Sequence, residues 1–406
     1  MDRIIEPILC NGCHACYAIC PKRCIDMIQN EEGFLEPSID KDKCIECNLC
    51  TTTCPVNNDL TIDDKNKLIS IVAINKDDNI REKSSSGGVF TEIANYILDK
   101  NGCVYGAGFN NNFEVEHMKI TDKSEIYKLQ GSKYVQSKIG KIFLEVEKDL
   151  KKNKFVLFTG TPCQIEGLKS YLGKDYEKLY TQDIICHGVP SPKAWKKYIG
   201  EFKGNIKDIS FRDKTFGWNK FSMKVESDNS TYLNTLDKDT FLQSFLKNFN
   251  LRNSCYNCRF KKLNRVSDIT LADFWGIENI DKKYFDDKGT SLVILQSYKG
   301  QNLYQQIKNK FISKEINLED AIKYNTAINK SVELNKKRNI FFKNIDRYKY
   351  DDLVQKSIKE TNIELKKANK KFKELKESNS WKIGRAITWP VRKLKTILRK
   401  FSNGIA

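Results

Sequence analysis

A cysteine motif with one spacing occurs twice near the beginning of the chain and is the strongest chemical signal in the sequence. Its two copies, 34 residues apart, are Cys10-x-x-Cys13-x-x-Cys16-x-x-x-Cys20-Pro21 and Cys44-x-x-Cys47-x-x-Cys50-x-x-x-Cys54-Pro55. Three cysteines two residues apart can bind one face of a 4Fe–4S cluster, while the fourth, followed by proline, binds the neighbouring cluster. The predicted ligand sets are Cys10, Cys13, Cys16 and Cys54 for cluster A, and Cys44, Cys47, Cys50 and Cys20 for cluster B.

Disulfides and zinc sites are the alternative explanations for these eight thiols. Disulfide frameworks are typical of small secreted domains, and structural zinc sites usually pair two-cysteine knuckles. Neither alternative has three cysteines at this spacing followed by Cys-Pro, so iron–sulfur clusters are favoured. Cys24 and Cys103 have no partner at a useful spacing and are predicted to be buried thiols.

Four further cysteines are predicted to form a third centre. Cys163 follows proline at a strand-to-helix turn, where helix N–H groups favour a thiolate. Cys186 lies at the end of a predicted strand, and Cys255 and Cys258 form a Cys-x-x-Cys pair. One such pair is ambiguous between a redox pair, half a zinc site and half a cluster site. Together the four thiolates predict a third 4Fe–4S cluster, with zinc as the alternative metal.

Two other features could take part in chemistry. The segment 84–91, Ser-Ser-Ser-Gly-Gly-Val-Phe-Thr, places glycines at a helix start, where backbone N–H groups can approach a phosphate. A helix cap with a purely structural purpose fits this segment equally. His187 could donate a proton at a redox centre, and a structural histidine is the alternative. His14 lies in a cluster loop and His117 on a predicted surface strand, so neither is given a role.

Short apolar runs that alternate with helical stretches from residue 68 onward indicate an α/β sheet with helices packed against it. Strands are predicted at 68–74, 103–109, 113–120, 155–158, 179–186, 269–272 and 292–295. Helices are predicted at 88–98, 139–150, 163–171, 237–249 and from residue 303 onward. The predicted class is α/β, with an α+β cluster module (1–60), a mixed α/β domain (68–335) and a basic helical tail (336–406).

Composition restricts the class of protein. The 406 residues can form two or three domains, and 40% hydrophobic with 30% charged residues indicates a soluble globular protein. No run of 18 or more apolar residues exists, so no transmembrane helix is expected. The N-terminus lacks an apolar signal segment, which predicts a cytoplasmic location. That compartment favours metal-bound cysteines over disulfides.

The formal charge of +18 is unevenly distributed. Residues 1–60 have five basic and ten acidic side chains, whereas residues 355–406 have fifteen basic and four acidic ones. Basic patches attract nucleic acid, anionic lipid or phosphorylated cofactors. No helix-turn-helix, zinc-finger or RNA-binding signature accompanies them, so nucleic acid is not expected as a partner.

Four motifs, in this order, resemble the family of coenzyme F-420 hydrogenase/dehydrogenase beta subunits. They are Ser-Ser-Gly-Gly-Val-Phe-Thr (85–91), Gly-Thr-Pro-Cys-Gln (160–164), Cys-His-Gly-Val-Pro-Ser-Pro (186–192) and Cys-x-x-Cys…Asp-Ile-Thr-Leu-Ala-Asp-Phe-Trp-Gly (255–276). A two-cluster ferredoxin domain is a frequent N-terminal partner in that family, so the resemblance covers roughly residues 1–330. It implies an oxidoreductase that binds FAD together with iron–sulfur clusters.

The resemblance also implies which residues form the site. It assigns flavin contact to Ser86, Gly87, Gly88 and Thr91, with Lys133 and Tyr134 as further candidates, and metal ligation to Cys163, Cys186, Cys255 and Cys258. One departure concerns the substrate. Archaeal members read Ala-Asp-Ile-x-x-Gly after the Cys-x-x-Cys pair, whereas this chain reads Ala-Asp-Phe-Trp-Gly at 272–276. The chain is similar here to a bacterial branch, whose electron partner need not be a deazaflavin.

A flavin suits a protein with clusters because clusters transfer single electrons, whereas nicotinamides and deazaflavins take a hydride. The implied route runs from a substrate or coenzyme through flavin and the third cluster to clusters A and B, in either direction. Expected partners are ferredoxin or another redox protein, and a deazaflavin or nicotinamide coenzyme. The alternatives to an FAD-dependent enzyme are a non-catalytic electron-transfer protein serving a partner enzyme, and a cluster-bearing scaffold at the membrane.

The end of the chain has the pattern of a cationic amphipathic helix. Its apolar positions recur at spacings of four, three, four and three, and they are Ile387, Val391, Leu394, Leu398 and Phe401. Basic residues fall mostly elsewhere around this helix, and Trp381 and Trp389 flank it. Such a helix suits the anionic inner face of a membrane, and docking on a partner protein fits equally.

Overall fold

The computed structural model describes residues 4–58, 60 and 68–377, and the chain forms two compact units, 1–350 and 351–406. The strands are β1 (Ile25–Gln29), β2 (Leu35–Ile39), β3 (Ile69–Asn75), β4 (Cys103–Phe109), β5 (Val115–Ile120), β6 (Val156–Thr159), β7 (Leu179–Ile184), β8 (Ile206–Asp213), β9 (Ser222–Ser227), β10 (Thr231–Thr235), β11 (Ile269–Asp273), β12 (Ser291–Leu295) and β13 (Phe311–Ile316). The helices are α1 (Ala15–Ile19), α2 (Leu49–Thr52), α3 (Asp78–Glu82), α4 (Val89–Asp99), α5 (Ile142–Lys151), α6 (Pro162–Leu172), α7 (Pro192–Ile199), α8 (Thr240–Leu246), α9 (Tyr298–Ile307), α10 (Leu318–Ile322), α11 (Arg338–Asn344) and α12 (Tyr350–Glu377).

Most of the first unit is organised around an eight-stranded mixed sheet with the strand order β13-β3-β12-β11-β7-β6-β4-β5. The four neighbouring strands β11, β7, β6 and β4 are parallel, and the strands outside them pair antiparallel. Parallel strands need helical connections that cover the faces of the sheet. The predicted α/β class is confirmed.

Helices cover both faces of this sheet. One core cluster contains residues of α4 and α9, and a second contains residues of α5 and α6. Val104 of β4 belongs to the first cluster, and its neighbours Cys103 and Tyr105 belong to the second. Since successive side chains of a strand point to opposite faces, the two clusters lie on opposite sides of the sheet.

A three-stranded antiparallel sheet, β10-β9-β8, follows β7 and α7 in the chain and is missing from the sequence prediction. Its buried side chains include Phe211, Met223 and Val225. Phe211 packs on Trp195 of α7, with ring centroids 4.8 Å apart. Its strands alternate buried residues with Lys, Asp, Ser and Glu and contain register shifts, so they lack the continuous apolar runs that revealed the other strands.

The N-terminal module pairs β1 and β2 antiparallel and holds the short helices α1 and α2 in its two cysteine repeats. Gly12 and Glu46, which occupy equivalent positions in the repeats, have φ angles of 66° and 52°. His14 and Asn48 are likewise equivalent and have φ angles of 65° and 60°. The duplicated spacing therefore corresponds to a duplicated local fold, in which left-handed residues turn the chain before each helix.

The module packs directly against the rest of the first unit. Ser170 Oγ of α6 donates to the carbonyl of Thr53 at 2.6 Å. Glu32 forms a buried ion pair with Arg338 of α11, and its carbonyl accepts from the hydroxyl of Ser191. These contacts join two parts of the module, the turn between β1 and β2 and the end of α2, to the rest of the first unit.

Several predictions differ from the structure in this unit. His117 was predicted on a surface strand, which is wrong: its side chain is 5% exposed because it stacks on Phe158, with ring centroids 5.2 Å apart. The helix predicted at 237–249 is shorter, spanning Thr240–Leu246, and the strand predicted at 179–186 ends at Ile184. Strand β13 was not predicted.

The predicted tail (336–406) divides between the two units. Residues 336–350 belong to the first unit, where Phe342 of α11 packs on Phe34 of the N-terminal module. The described part of the second unit is residues 351–377, which belong to α12. The predicted amphipathic helix with Ile387 to Phe401 lies outside the described residues. Within the described ranges, no helix has both the length and the apolar character needed to span a membrane.

Candidate cofactor cavity and cysteine centres

The structure brings together the four cysteines predicted for cluster A. One small cavity in the N-terminal module is lined by Cys10, Cys13, Cys16 and Cys54. All four are buried, and Cys54 reaches this cavity from the second repeat. Burial, followed by repulsion from neighbouring thiolates, raises the pKa values of Cys13 and Cys16. Thiols in this setting become thiolates only when a cation lies among them.

The cysteines predicted for cluster B line a second small cavity. They are Cys20, Cys44, Cys47 and Cys50. This cavity lies nearer the surface, since Cys47 is exposed and Ile45 and Leu49 beside it are 57% and 42% exposed. Cys24 is buried, as predicted, but it lines the same cavity, and its Sγ lies 3.4 Å from that of Cys20. The spacing in the sequence does not indicate this contact.

The remaining four predicted ligands form one group. The Cys163 thiol interacts electrostatically with those of Cys186, Cys255 and Cys258. Cys163 lies in the first turn of α6, and Cys186 follows β7. Cys255 lies in a short helical turn, Asn253–Asn257, and Cys258 directly follows that turn. In the part of the chain that the structure describes, no three Cys, His, Asp or Glu side chains converge on a position for a single metal ion. A 4Fe–4S cluster instead binds each thiolate through a different iron.

The sequence Thr-Pro-Cys-Gln explains the position of Cys163. Pro162 occupies the first turn of α6, and the side chain of Gln164 accepts from the N–H of Thr161 at 2.9 Å. The Thr161 hydroxyl lies 3.1 Å from Cys163 Sγ. Burial and then repulsion by Cys258 raise the pKa of Cys163, while the Thr161 hydroxyl opposes this shift.

Basic groups lie beside this third group. Lys261 Nζ donates to the carbonyls of Cys186 and His187 at 2.5 and 3.2 Å. Burial raises the pKa of Cys186 to about 12 and that of Cys255 to about 11, and the charge of Lys261 opposes both shifts. The protein alone therefore leaves these thiols protonated, and a metal centre would be needed to hold them as thiolates.

A cavity of about 640 Å³ lies at the carboxyl ends of the parallel strands. Its lining includes Thr159 at the end of β6, Ile184 at the end of β7 and Asp273 at the end of β11. Ligands of open α/β sheets bind at this edge, and the volume lies within the range of roughly 300–1,000 Å³ seen for small-molecule sites. Cys186 and His187 also line the cavity, so it borders the third cysteine group.

The N-terminus of α4 lies at this cavity. Ser86 and Gly88 belong to its lining, and Gly88 caps the helix with a φ angle of 86°. The hydroxyl of Ser86 donates to the carbonyl of Thr290 at 2.7 Å, which fixes the loop. A helix N-terminus at a cavity wall is suited to an anionic group such as a phosphate.

The other two flavin contacts predicted in this segment lie behind the cavity wall. Gly87 and Thr91 do not belong to the cavity lining. The N–H of Gly87 donates to Ser291 Oγ at 2.8 Å, and Thr91 Oγ1 accepts from Gln130 Nε2 at 2.9 Å. Both therefore support residues that reach the cavity, since Ser291 and Gln130 line it.

Lys133 and Tyr134 both line the cavity, as their predicted role requires. Lys133 Nζ donates to the carbonyl of Gln130 at 2.7 Å, and burial lowers its pKa to about 7. The Tyr134 ring stacks on Phe245, with centroids 4.7 Å apart, and its hydroxyl accepts from Arg212 at 3.1 Å. They supply a titratable amine and an aromatic surface.

Sequence reasoning missed Arg212, which no motif marks and which lies on the unpredicted strand β8. It is buried and donates to both carboxylate oxygens of Asp273, at 2.7 and 3.0 Å. Trp218 Nε1 donates to the same carboxylate at 2.8 Å, and its ring stacks on Trp275 with centroids 4.8 Å apart. The Asp and Trp of the Ala-Asp-Phe-Trp-Gly segment thus build one wall of the cavity together with Arg212.

Two histidines line the cavity. His187 Nε2 lies 2.8 Å from Asn248 Oδ1, and burial lowers the pKa of His187. His117 Nε2 lies 2.9 Å from the carbonyl of Thr159, and Nδ1 lies 2.9 Å from Ser137 Oγ. Burial lowers the pKa of His117 to about 4, so this ring is neutral at physiological pH.

The cavity wall has the chemical features that a flavin dinucleotide requires. Among the described residues, three buried polar atoms of residues in the lining have no hydrogen-bond partner: Gln182 Oε1, Arg212 Nε and Asn325 Nδ2. Buried polar groups are nearly always paired, so a bound molecule with a donor and an acceptor is expected here. Phe90, Phe245 and Trp275 add aromatic surface to the same wall. With the helix N-terminus, these residues fit FAD.

Three family models match the chain. The 4Fe–4S dicluster domain matches residues 9–58. The N-terminal and C-terminal models of the coenzyme F-420 hydrogenase/dehydrogenase beta subunit match residues 70–143 and 153–321. The matched ranges contain both N-terminal cysteine repeats, the loop before α4 and the third cysteine group.

Individual relatives are similar over most of their length. The chain is 24% identical over 320 residues to a component of the F(420)H(2) dehydrogenase of Methanosarcina mazei, which covers 73% of this chain and 87% of the relative. It is 25% identical over 369 residues to an uncharacterized protein of Methanocaldococcus jannaschii, covering 81% and 94%. A chain of the F-420-reducing NiFe hydrogenase complex from Methanosarcina barkeri matches with a TM-score of 0.44 and 16% identity, covering 74% of this chain and 95% of that chain.

Proposed function

Because this chain belongs to the family of coenzyme F-420 hydrogenase/dehydrogenase beta subunits and has an N-terminal 4Fe–4S dicluster domain, we propose that it is an FAD-dependent iron–sulfur oxidoreductase. It passes electrons between a hydride donor or acceptor in the large cavity and a redox protein such as ferredoxin. The hydride partner is a deazaflavin or nicotinamide coenzyme. One observation carries this proposal: Cys186 belongs both to the third thiol group and to the wall of the cavity of about 640 Å³.

The three cysteine sets are proposed to hold three 4Fe–4S clusters. Cluster A has the ligands Cys10, Cys13, Cys16 and Cys54, cluster B has Cys20, Cys44, Cys47 and Cys50, and the third cluster has Cys163, Cys186, Cys255 and Cys258. Each set lies at one place in the protein, although its members come from different parts of the chain. The carbonyl contacts of Lys261 support the third set by placing positive charge beside it.

The large cavity is proposed to hold FAD. Ser86 and Gly88 at the start of α4 suit its pyrophosphate, with Gly87 and Thr91 fixing the residues beside them. Lys133 and Tyr134 are further contacts. When bound, FAD can accept or donate a hydride and can also transfer single electrons. The protein contributes orientation, exclusion of water and the charges of the wall.

His187 is proposed to exchange a proton with the substrate. It lines the cavity, and its Nε2–H group donates to Asn248 Oδ1 at 2.8 Å, which fixes the ring. The Nδ1 lone pair has no hydrogen-bond partner in the described part of the chain and can accept a proton. The ring also contacts Phe245 edge-on, with centroids 4.9 Å apart, which limits its rotation.

The basic tail is proposed to place the enzyme at an anionic membrane surface. This proposal rests on the sequence pattern of residues 387–401 and on the net charge of residues 355–406, which have fifteen basic and four acidic side chains.

The composition of full-length protein purified without oxygen tests the proposed function. We expect FAD, and iron and sulfide for three clusters with four irons each. Reduced coenzyme F-420, NADH, NADPH or reduced ferredoxin is expected to bleach the flavin and cluster absorption. Clusters without flavin would favour the non-catalytic electron-transfer protein, and zinc in place of iron would overturn the proposal.

A further inference from the structure

Arg252 lies buried between two of the cysteine sets, with 2% of its surface exposed. Its Nε donates to the carbonyl of Cys10, a residue of the cluster A set, at 2.6 Å. Its own carbonyl accepts from the N–H of Cys255, a residue of the third set, at 3.0 Å. Arg252 therefore contacts the cluster A set through its guanidinium and the third set through its backbone carbonyl.

Neutral groups bind the rest of the guanidinium. Nη1 donates to Gln136 Oε1 at 2.9 Å, and Nη2 donates to the carbonyl of Leu35 at 3.0 Å. Gly12 makes this approach possible, because it has a φ angle of 66° and a Cβ there would lie 2.8 Å from Nη1. The guanidinium also lies 5.2 Å from the centre of the Phe34 ring. Each of its three nitrogens has a hydrogen-bond partner, but no carboxylate balances its charge.

This distinguishes Arg252 from the other buried arginines of the described residues. The others each pair with a carboxylate: Arg81 with Asp286, Arg212 with Asp273, Arg265 with Asp183 and Arg338 with Glu32. Arg252 has no carboxylate within ion-pair distance in the described ranges, although it is as buried as they are. A buried charge without an opposite charge is costly, so a negative group is expected beside it.

We propose that Arg252 is a positioning residue that supplies one positive charge shared by cluster A and the third cluster. The inference rests on the proposed function, since thiolate-ligated clusters are the negative groups that would balance the guanidinium. A neighbouring cation favours the reduced form of a cluster, because that form has one more electron. Arg252 therefore raises the reduction potentials of cluster A and the third cluster.

Cluster B serves as an internal reference. Its cysteines line a different cavity, and none of the hydrogen bonds of Arg252 reaches them. A change at Arg252 is thus expected to shift the cluster B potential less than that of cluster A, because the charge lies farther from it, whereas a general loosening of the N-terminal module would move clusters A and B together.

The test is a redox titration of the full-length protein followed by electron paramagnetic resonance, with dithionite as electron donor. In Arg252→Met, the ratio of reduced to oxidised cluster at a fixed potential is expected to fall about tenfold for cluster A and the third cluster, or about 59 mV for one electron. Arg252→Lys keeps the charge, so its potentials are expected to stay close to those of the unaltered protein. Iron content is measured in each variant.

The matched control is the double replacement Arg338→Gln with Glu32→Gln. Arg338 is 2% exposed and donates to the carbonyl of Leu251, the residue before Arg252, at 2.9 Å. Its removal together with Glu32 leaves the net charge unchanged, so no potential is expected to shift. An equal shift in this control, or unchanged potentials in Arg252→Met with full iron content, overturns the inference.

Two further outcomes separate the inference from the proposed function. If Arg252→Met loses iron, the test rests on Arg252→Lys. A tenfold fall in the ratio of reduced to oxidised cluster in that variant would contradict the role of the charge. If the unaltered protein contains no clusters, the proposed function itself fails.

Discussion

Gly167 of α6 lies against Cys13 of the N-terminal module, so closely that a Cβ on Gly167 would be 2.8 Å from the Cβ of Cys13. Gly167 follows Cys163 by four residues, and residues at this spacing lie on the same face of a helix. One helix therefore has the third cysteine group at its first turn and the cluster A set at its second. The helix therefore contributes to placing the two sets near each other, together with the hydrogen bond from Arg252 to Cys10.

Replacement of Gly167 by valine is expected to destabilise the protein, because the added side chain cannot fit against Cys13. Overpacking of this kind lowers the free energy of unfolding by about 1–3 kcal/mol. Urea unfolding without oxygen measures the change. Lys169→Val is the control, since Lys169 lies on the same helix and is only half-buried. Equal losses in both variants would mean that helix propensity, and not this contact, causes the effect.

Cys163→Ser is expected to lose the third cluster, and with it about four irons per chain. Cys103→Ser is the matched control, because Cys103 is a buried thiol in β4 that belongs to none of the three sets. Iron and sulfide analysis with electron paramagnetic resonance distinguishes the two variants. Full iron content in Cys163→Ser would remove Cys163 from the ligand set.

Asp273→Asn is expected to destabilise the protein by about 3 kcal/mol, because it leaves the buried Arg212 without its opposite charge. It is also expected to weaken FAD retention, since both residues line the cavity. Chemical unfolding measures the change in stability. The FAD released from the protein is measured by its fluorescence after ultrafiltration. Asp346→Asn breaks the exposed pair with Lys193 and is expected to cost about 0–1 kcal/mol. A similar loss in both variants would contradict the role assigned to the buried pair.

FAD affinity is expected to fall as the pH rises through about 7. Burial lowers the pKa of Lys133 to about 7, so the amine is a cation below this pH and neutral above it. Only the cation attracts an anionic cofactor, and binding is therefore stronger at the lower pH. Fluorescence titration of apoprotein with FAD between about pH 6 and 8 measures how the affinity changes with pH.

Lys133→Met is expected to flatten this pH dependence. Lys128→Met is the control, because the amine of Lys128 pairs with Glu125 at 2.7 Å and does not line the cavity. A pH dependence that persists in Lys133→Met would assign the effect to another group.

Removal of residues 380–406 is expected to abolish binding to vesicles that contain phosphatidylglycerol. The deleted segment contains the apolar positions 387–401 and seven lysines and arginines, which lie between residues 382 and 400. Vesicle flotation measures the bound fraction, and vesicles of phosphatidylcholine alone are the control. Binding that persists without the segment would contradict the membrane anchor.

The spacing of the N-terminal cysteines predicted which thiols lie together, including the exchange of Cys20 and Cys54 between the repeats. This was possible because ligand geometry over a few residues depends on local chain length. Apolar runs likewise predicted most strands of the large sheet. The sheet β8 to β10 was missed because its half-polar strands have no such runs, and Arg212 was missed with it.

The sequence by itself determined the iron–sulfur chemistry of the N-terminal module and the α/β class, since both depend on spacing and periodicity along the chain. The tertiary structure decided which distant groups share one environment. Cys163 lies with Cys255, Arg252 joins Cys10 to Cys255, and Arg212 reaches Asp273. These relationships depend on burial and on charges brought together across the fold, and no local pattern encodes either of them.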